Sequence, residues 1–237
     1  MKISELNTPK HITLCAFESR EALTNSLYDL VQTRLQHSLH QLDHATLAIS
    51  GGLTPTPLFN QLSHAPLDWS KVTITLVDDR WVSPDHADSN ERLVKENLLQ
   101  NEAAKAHFIS LWQDYITANE AEDSCNQKLA QLSTSLDTVI LGMGNDGHTA
   151  SLFPCAKNDL LAAINSNKDC AAIHPKSAPH SRMTLTPKRL LNSDLRILHI
   201  QGESKLETLA KALHEEDPHS MPINIFLRHP LTIYWTP

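Results

Sequence analysis

Four apolar, β-branched runs set at intervals along the chain constrain its fold more than any other feature: residues 11–17 (HITLCAF), 45–50 (ATLAIS), 71–79 (KVTITLVDD) and 136–143 (LDTVILGM). Each has strand length, and the last three end in a polar or glycine-containing loop. Between the first two, residues 18–42 carry Leu23, Leu27, Leu30, Val31 and Leu35 at helical spacing, which predicts a long amphipathic helix. A shorter helix is expected from about Pro55 with Thr54 as its cap, and another over 89–99 with Asp88 or Ser89 as its cap. Later segments read as strands at 170–174, 182–186 and 195–200, helices from Pro187 and over 203–214, and a final strand in LTIYW. Strands that alternate with helices of ten or more residues pair mainly in parallel, with helices on both faces. The fold class is α/β, in one domain spanning 1–237, with a small irregular insertion expected near 155–185.

Composition narrows the class. Residues that are 41% hydrophobic and 20% charged leave enough apolar surface to bury a core, and only six glycines exclude fibrous and linker-like chains. A net charge of −7 provides no general field for nucleic acid, while still allowing a local basic pocket. Cys15, Cys125, Cys155 and Cys170 form no CxxC pair, which fits reduced thiols and a cytoplasmic location. No run has the length of a membrane span, so no membrane partner is expected.

The six glycines fall in three places: Gly51 and Gly52; Gly142, Gly144 and Gly147; and Gly202. In an open parallel sheet, ligands bind beyond the carboxyl ends of the strands, where these loops lie. Ser50-Gly51-Gly52-Leu53-Thr54-Pro55 runs from a strand into a helix and suits either a phosphate cradle or a simple tight turn. Asp78-Asp79-Arg80 closes another strand; alternation along that strand turns at most one of its two carboxylates into a pocket. Gly142-Met143-Gly144-Asn145-Asp146-Gly147-His148 contains the spacing of a dinucleotide fingerprint. Asp146 would then stand inside the loop that receives a pyrophosphate, and the unit is mid-chain, so a nicotinamide cofactor is not expected. An imidazole with a carboxylate two residues away on a glycine-hinged loop points instead to a general base. Arg182 and Lys205 stand beside late strands, where they matter if they reach the same anion as the Gly51-Gly52 loop. His37, His40 and His44 have helical spacing but no supporting acid, and the chain has no HExxH, so no metal site is expected.

The series SGGxTP, DDRWV followed by Ser89-Asn90, GMGNDGHTASLFP, RMTLTP and GxxK resembles the 6-phosphogluconolactonases across about residues 10–235. SGGxTP and the DDR segment are shared more loosely with glucosamine-6-phosphate deaminases. The deaminases carry a glutamate just before the proline, where this chain has Phe153, and an acid-acid-tyrosine where it has Asp78-Asp79-Arg80. Asp79 and Leu53 are mild departures from the lactonase pattern. The resemblance implies a Rossmann-like sheet of the sugar-phosphate isomerase type, no cofactor, and hydrolysis of 6-phospho-D-glucono-1,5-lactone in the pentose phosphate pathway.

On that reading His148 is the general base and Asp146 orients it or the water. Arg80 stabilises the carbonyl oxygen or positions the lactone, and Ser50, Gly51, Gly52 and Thr54 hold the phosphate, with Arg182 and Lys205 neutralising it. Asp78 and Asn90 hold hydroxyls or support Arg80. The expected partner is the small sugar-phosphate lactone alone, and the expected state is a monomer. Two other classes are weighed beside it: an aminosugar-phosphate deaminase or isomerase, and a non-catalytic sugar-phosphate sensor. The sensor would need an added DNA-binding segment, for which a 237-residue chain filled by one α/β domain leaves little room.

Overall fold

The computed structural model describes residues 6–114 and 116–237. Ten strands and eight α-helices alternate along these residues, beginning with β1 (Ile12–Ala16), α1 (Arg20–Leu42), β2 (Ala45–Ile49) and α2 (Thr56–Leu62). β3 (Val72–Leu76), β4 (Asp78–Arg80), α3 (Asn90–Asn97), β5 (His107–Ile109), α4 (Ala118–Leu129) and β6 (Leu136–Leu141) follow. The chain ends with α5 (Lys157–Ile164), β7 (Cys170–Ile173), β8 (Arg182–Leu185), α6 (Pro187–Leu191), β9 (Ser193–Gln201), α7 (Glu203–Glu215), α8 (Asn224–Leu227) and β10 (Leu231–Thr236).

Seven strands form one wholly parallel sheet in the order β1-β10-β9-β6-β2-β3-β5. From β2 the chain winds outward through β3 to β5, and from β6 it winds the other way through β9 and β10. The reversal between β2 and β6 is the switch point at which open sheets of this kind leave a crevice. β2 and β6 are buried along their whole length, as expected for the centre of a sheet covered on both faces. Their one charged residue, Asp137, accepts hydrogen bonds from the Ser38 hydroxyl and from the Thr46 N–H and hydroxyl. Those donors replace the water that burial removes.

α1 forms because Leu23, Leu27, Val31 and Leu35 recur every four residues and bury one stripe against β2, β6 and β10. Ser19 caps it by accepting from the Ala22 N–H, and Asp43 ends it in the left-handed conformation. A single hydrophobic cluster runs from Ile12 to Trp235. No helix among the described residues is long and apolar enough to cross a membrane.

Three expectations need correction. The run 71–79 is two strands in two sheets: the Val77 N–H bonds to Ile49 of β2, whereas its carbonyl accepts from Leu185 of β8, so the chain changes sheet at that residue. The segment near 155–185 is ordered, because β4 supplies an edge on which β8 and then β7 build a three-stranded antiparallel sheet, with α5 beside β7. Thr54 does not cap α2. The helix starts at Thr56 after a turn closed by the Thr56 N–H on Leu53, with no side-chain cap.

β9 carries one conspicuous polar residue. His199 lies opposite Tyr234 of β10, is almost fully buried, and neither ring nitrogen has a hydrogen-bond partner among the described residues. Burial pushes its pKa down to about 4 from 6.5, so the ring stays neutral. The unfolded chain takes up this proton near pH 6.5 and the folded chain resists until about pH 4, so stability is full above 6.5 and falls as pH drops through that window. His199→Leu should therefore remove about 2 kcal/mol of the stability lost between roughly pH 8 and pH 5 in urea denaturation. Parallel stability-versus-pH curves for the two proteins would show instead that the ring has a partner.

Candidate active site

Four loops leave the carboxyl ends of β2, β3, β6 and β9, adjacent strands apart from their order in the chain, and meet around one cavity of about 530 Å³. That lies within the range of small-molecule sites. Ser50, Gly51, Gly52, Thr54, Asp78, Arg80, Asn90, His148, Arg182 and Lys205 all line it. Asp146 does not line the cavity; it stands behind His148.

The first loop is fastened to the third by Ser50, whose hydroxyl donates to the Ile140 carbonyl and accepts from the Gly142 N–H at 3.1 Å each. Gly51 permits a close approach: a Cβ there would lie 2.0 Å from Asn90 Oδ1. α2, behind this loop, has only seven residues, so its dipole adds less than the sequence suggested.

Along β4 the two acids separate as alternation requires. Asp79 turns inward and accepts from its neighbour, the Arg80 N–H, and from the Asn90 N–H, the Glu91 N–H and the Ser89 hydroxyl. Burial pushes its carboxyl up to about 6; the N–H donors oppose that, and the acid is ionised at neutral pH. Asp78 faces the cavity, accepts from the Ser151 hydroxyl at 2.5 Å, and offers its carbonyl to the Asn90 amide at 3.0 Å. Arg80 and Arg182 are register partners across β4 and β8. Like charges directly opposite repel, so an anion between them would relieve the strain. Arg80 is braced by the Asp88 carbonyl, and Arg182 by the carbonyls of Pro179 and His180. Burial pushes the Arg182 guanidinium down from its ordinary value, with the Asp78 charge opposing.

The third loop is built around His148. Its Nδ1 lies 2.5 Å from Asp146 Oδ1, and its backbone N–H donates to the same oxygen at 3.2 Å. Partial burial pushes Asp146 up, but the hydrogen bonds and charge of His148 outweigh it and hold the carboxyl below its ordinary range. With Nδ1 given to the carboxylate, Nε2 is the nitrogen left for chemistry. Phe153 stacks on the imidazole at 4.2 Å with 27° between planes, and Arg182 lies over the same phenyl ring at 5.9 Å. Lys205, in the first turn of α7, completes the wall; burial pushes its ammonium down and the Asp146 charge opposes.

The family model described as glucosamine-6-phosphate isomerases/6-phosphogluconolactonase matches residues 18–235. The chain belongs to this family. A 6-phosphogluconolactonase of Pseudomonas aeruginosa is 43% identical over the whole of both chains. One from Rhizobium meliloti is 42% identical over 93% of this chain and 97% of its own. Among solved structures, a 6-phosphogluconolactonase from Shewanella baltica matches with a TM-score of 0.94 and 40% identity, covering 98% of this chain and 100% of that one.

Relative to the sequence reading, this member of the family adds Phe153, His180, His199 and Gln201 to the cavity wall. A histidine inside the apolar run LRILHI was the available signal for His199, and the Pro-His preceding Ser-Arg for His180. Gly144 yields a direct test, because a Cβ there would fall 2.1 Å from His148 Nδ1 and 2.7 Å from Asp146 Oδ1. Gly144→Ala should displace the imidazole and lower turnover on the enzyme's substrate about 10²-fold or more while the thermal midpoint changes little. Wild-type turnover in that variant would mean that the pairing of His148 with Asp146 is not needed.

Proposed function

We infer that this protein hydrolyses 6-phospho-D-glucono-1,5-lactone to 6-phosphogluconate, using His148 as general base and no cofactor. The observation that carries the lactonase over the deaminase reading is Phe153. Where the deaminases place a glutamate to work with the histidine, this chain stacks a phenyl ring on it, which leaves His148 without a second acid on that side.

Asp146 fixes the tautomer with the proton on Nδ1, so the Nε2 lone pair can take a proton from water. The water oxygen bonds to the lactone carbonyl carbon as that proton moves to Nε2, and the carbonyl electrons move onto oxygen. Arg80 stabilises this oxyanion. The oxyanion collapses, the bond from the carbonyl carbon to the ring oxygen breaks, and the proton on Nε2 passes to the ring oxygen, which becomes a hydroxyl. The new acid loses its proton to solvent.

Ser50, Gly51, Gly52 and Thr54 hold the phosphate with Lys205 and Arg182, so the substrate's remote charge orients the ring. Asp78 and Asn90 accept and donate hydrogen bonds to the sugar hydroxyls. The site as proposed needs no residue from a partner subunit, and the protein is read as a monomer acting as a single domain over 1–237. Four free thiols support a cytoplasmic location.

Lactone generated in situ by a dehydrogenase should disappear much faster in the presence of the protein, with no ammonia released from glucosamine 6-phosphate. Lys205→Ala and Arg182→Ala should each raise KM about tenfold or more, with a smaller effect on turnover. Ammonia release without accelerated lactone loss would overturn the reaction assigned, and an unchanged KM in both variants would remove these cations from the phosphate site.

A further inference from the structure

One cluster of potential metal ligands is used by none of these steps. His86 and Asp88 lie on the segment between β4 and α3, and His180 lies on the segment between β7 and β8. The two segments are brought together at the cavity mouth, where Asp88 and His180 form part of the wall and His86 stands outside it. His180 Nε2 is 3.0 Å from Asp88 Oδ2, and His86 Nδ1 is 3.9 Å from the same oxygen. One donor atom from each residue lies within 4.8 Å of the other two, and the imidazoles meet edge to face at 5.5 Å.

Two imidazoles and a carboxylate are the donors of a zinc-type ion, and not of calcium or magnesium. Ligands about 2.1 Å from a tetrahedral ion stand about 3.4 Å apart, close to the present spacings; an ion would take the place of the proton shared by His180 and Asp88 and of the Asp88 N–H that His86 Nδ1 accepts at 3.1 Å. All three side chains are exposed, which gives an ion a path from solvent and leaves its remaining positions to water. Among the described residues, no other group of three such side chains is close enough to share an ion.

We propose that His86, Asp88 and His180 bind one divalent transition-metal ion of the zinc class at the rim of the cavity. The ion adds a link near the tips of two segments that already meet through the Trp81 N–H on the Ser181 carbonyl, the packing of the His86 and His180 imidazoles, and the hydrogen bond between Asp88 and His180. Their backbone carbonyls also brace the two arginines: Asp88 holds Arg80, and His180 holds Arg182. Bound metal therefore clasps the mouth and stiffens the mounting of both guanidinium groups, without contact with His148.

Titration of the chelator-treated full chain with Zn²⁺ in a calorimeter tests this. One ion per chain should bind with a dissociation constant in the micromolar range and raise the melting temperature. His86→Ala should weaken binding at least tenfold and abolish the thermal shift, while keeping the metal-free rate of lactone hydrolysis. His180→Gln, a conservative change that keeps a hydrogen-bonding group, should weaken binding to a similar extent. Absence of saturable binding at millimolar Zn²⁺, or affinities in both variants within twofold of wild type, would overturn the assignment.

Discussion

The carboxylate of Asp79 is the contact on which the geometry of the site depends. It lies where the chain has just left the large sheet, and it accepts from its own strand and from three donors at the start of α3. An unpaired buried carboxylate would cost several kcal/mol, and four donors offset that cost. Because Asp79 turns inward to meet them, its neighbours Asp78 and Arg80 turn toward the cavity. Because α3 is drawn in, Asn90 reaches Asp78 and packs on the bare backbone of Gly51. One buried acid thus aligns the ends of two strands with the start of a helix.

The same economy governs the electrostatics. A chain with a net charge of −7 gathers Arg80, Arg182 and Lys205 around one cavity, two of them directly opposed across a strand pair. The two arginines are held by backbone carbonyls and not by carboxylates, so their charge is oriented without being neutralised. Asp146 acts differently. It is hydrogen-bonded to His148 and stays out of the cavity, which in the proposed mechanism favours orienting the imidazole over orienting the water.

Much of this was legible in the sequence, for physical reasons. Central parallel strands must be apolar on both faces, so β2 and β6 stood out as unbroken runs, and glycines confined to three loops marked the strand ends around the cavity, where Gly51 and Gly144 leave room for the Asn90 and His148 side chains. The split of residues 71–79 was not legible, because no glycine or proline marks the crossing at Val77, and the charged Asp78-Asp79-Arg80 that follows reads as the polar end of one strand. α4 was missed because its surface is polar. Its start was nonetheless written in the chain, as Thr117 and Glu120 form a reciprocal capping box. His86, Asp88 and His180 lie on two loops that only the second sheet brings together, so no spacing rule could have united them.

The central claim is that His148, held by Asp146, removes the proton from the attacking water. Steady-state kinetics of lactone hydrolysis by His148→Ala, corrected for the spontaneous reaction, test it most directly. Turnover is predicted to fall about 10²- to 10⁴-fold while KM stays within about threefold, because the phosphate grip is left intact. Turnover at the wild-type rate would contradict the assignment of His148 as the base.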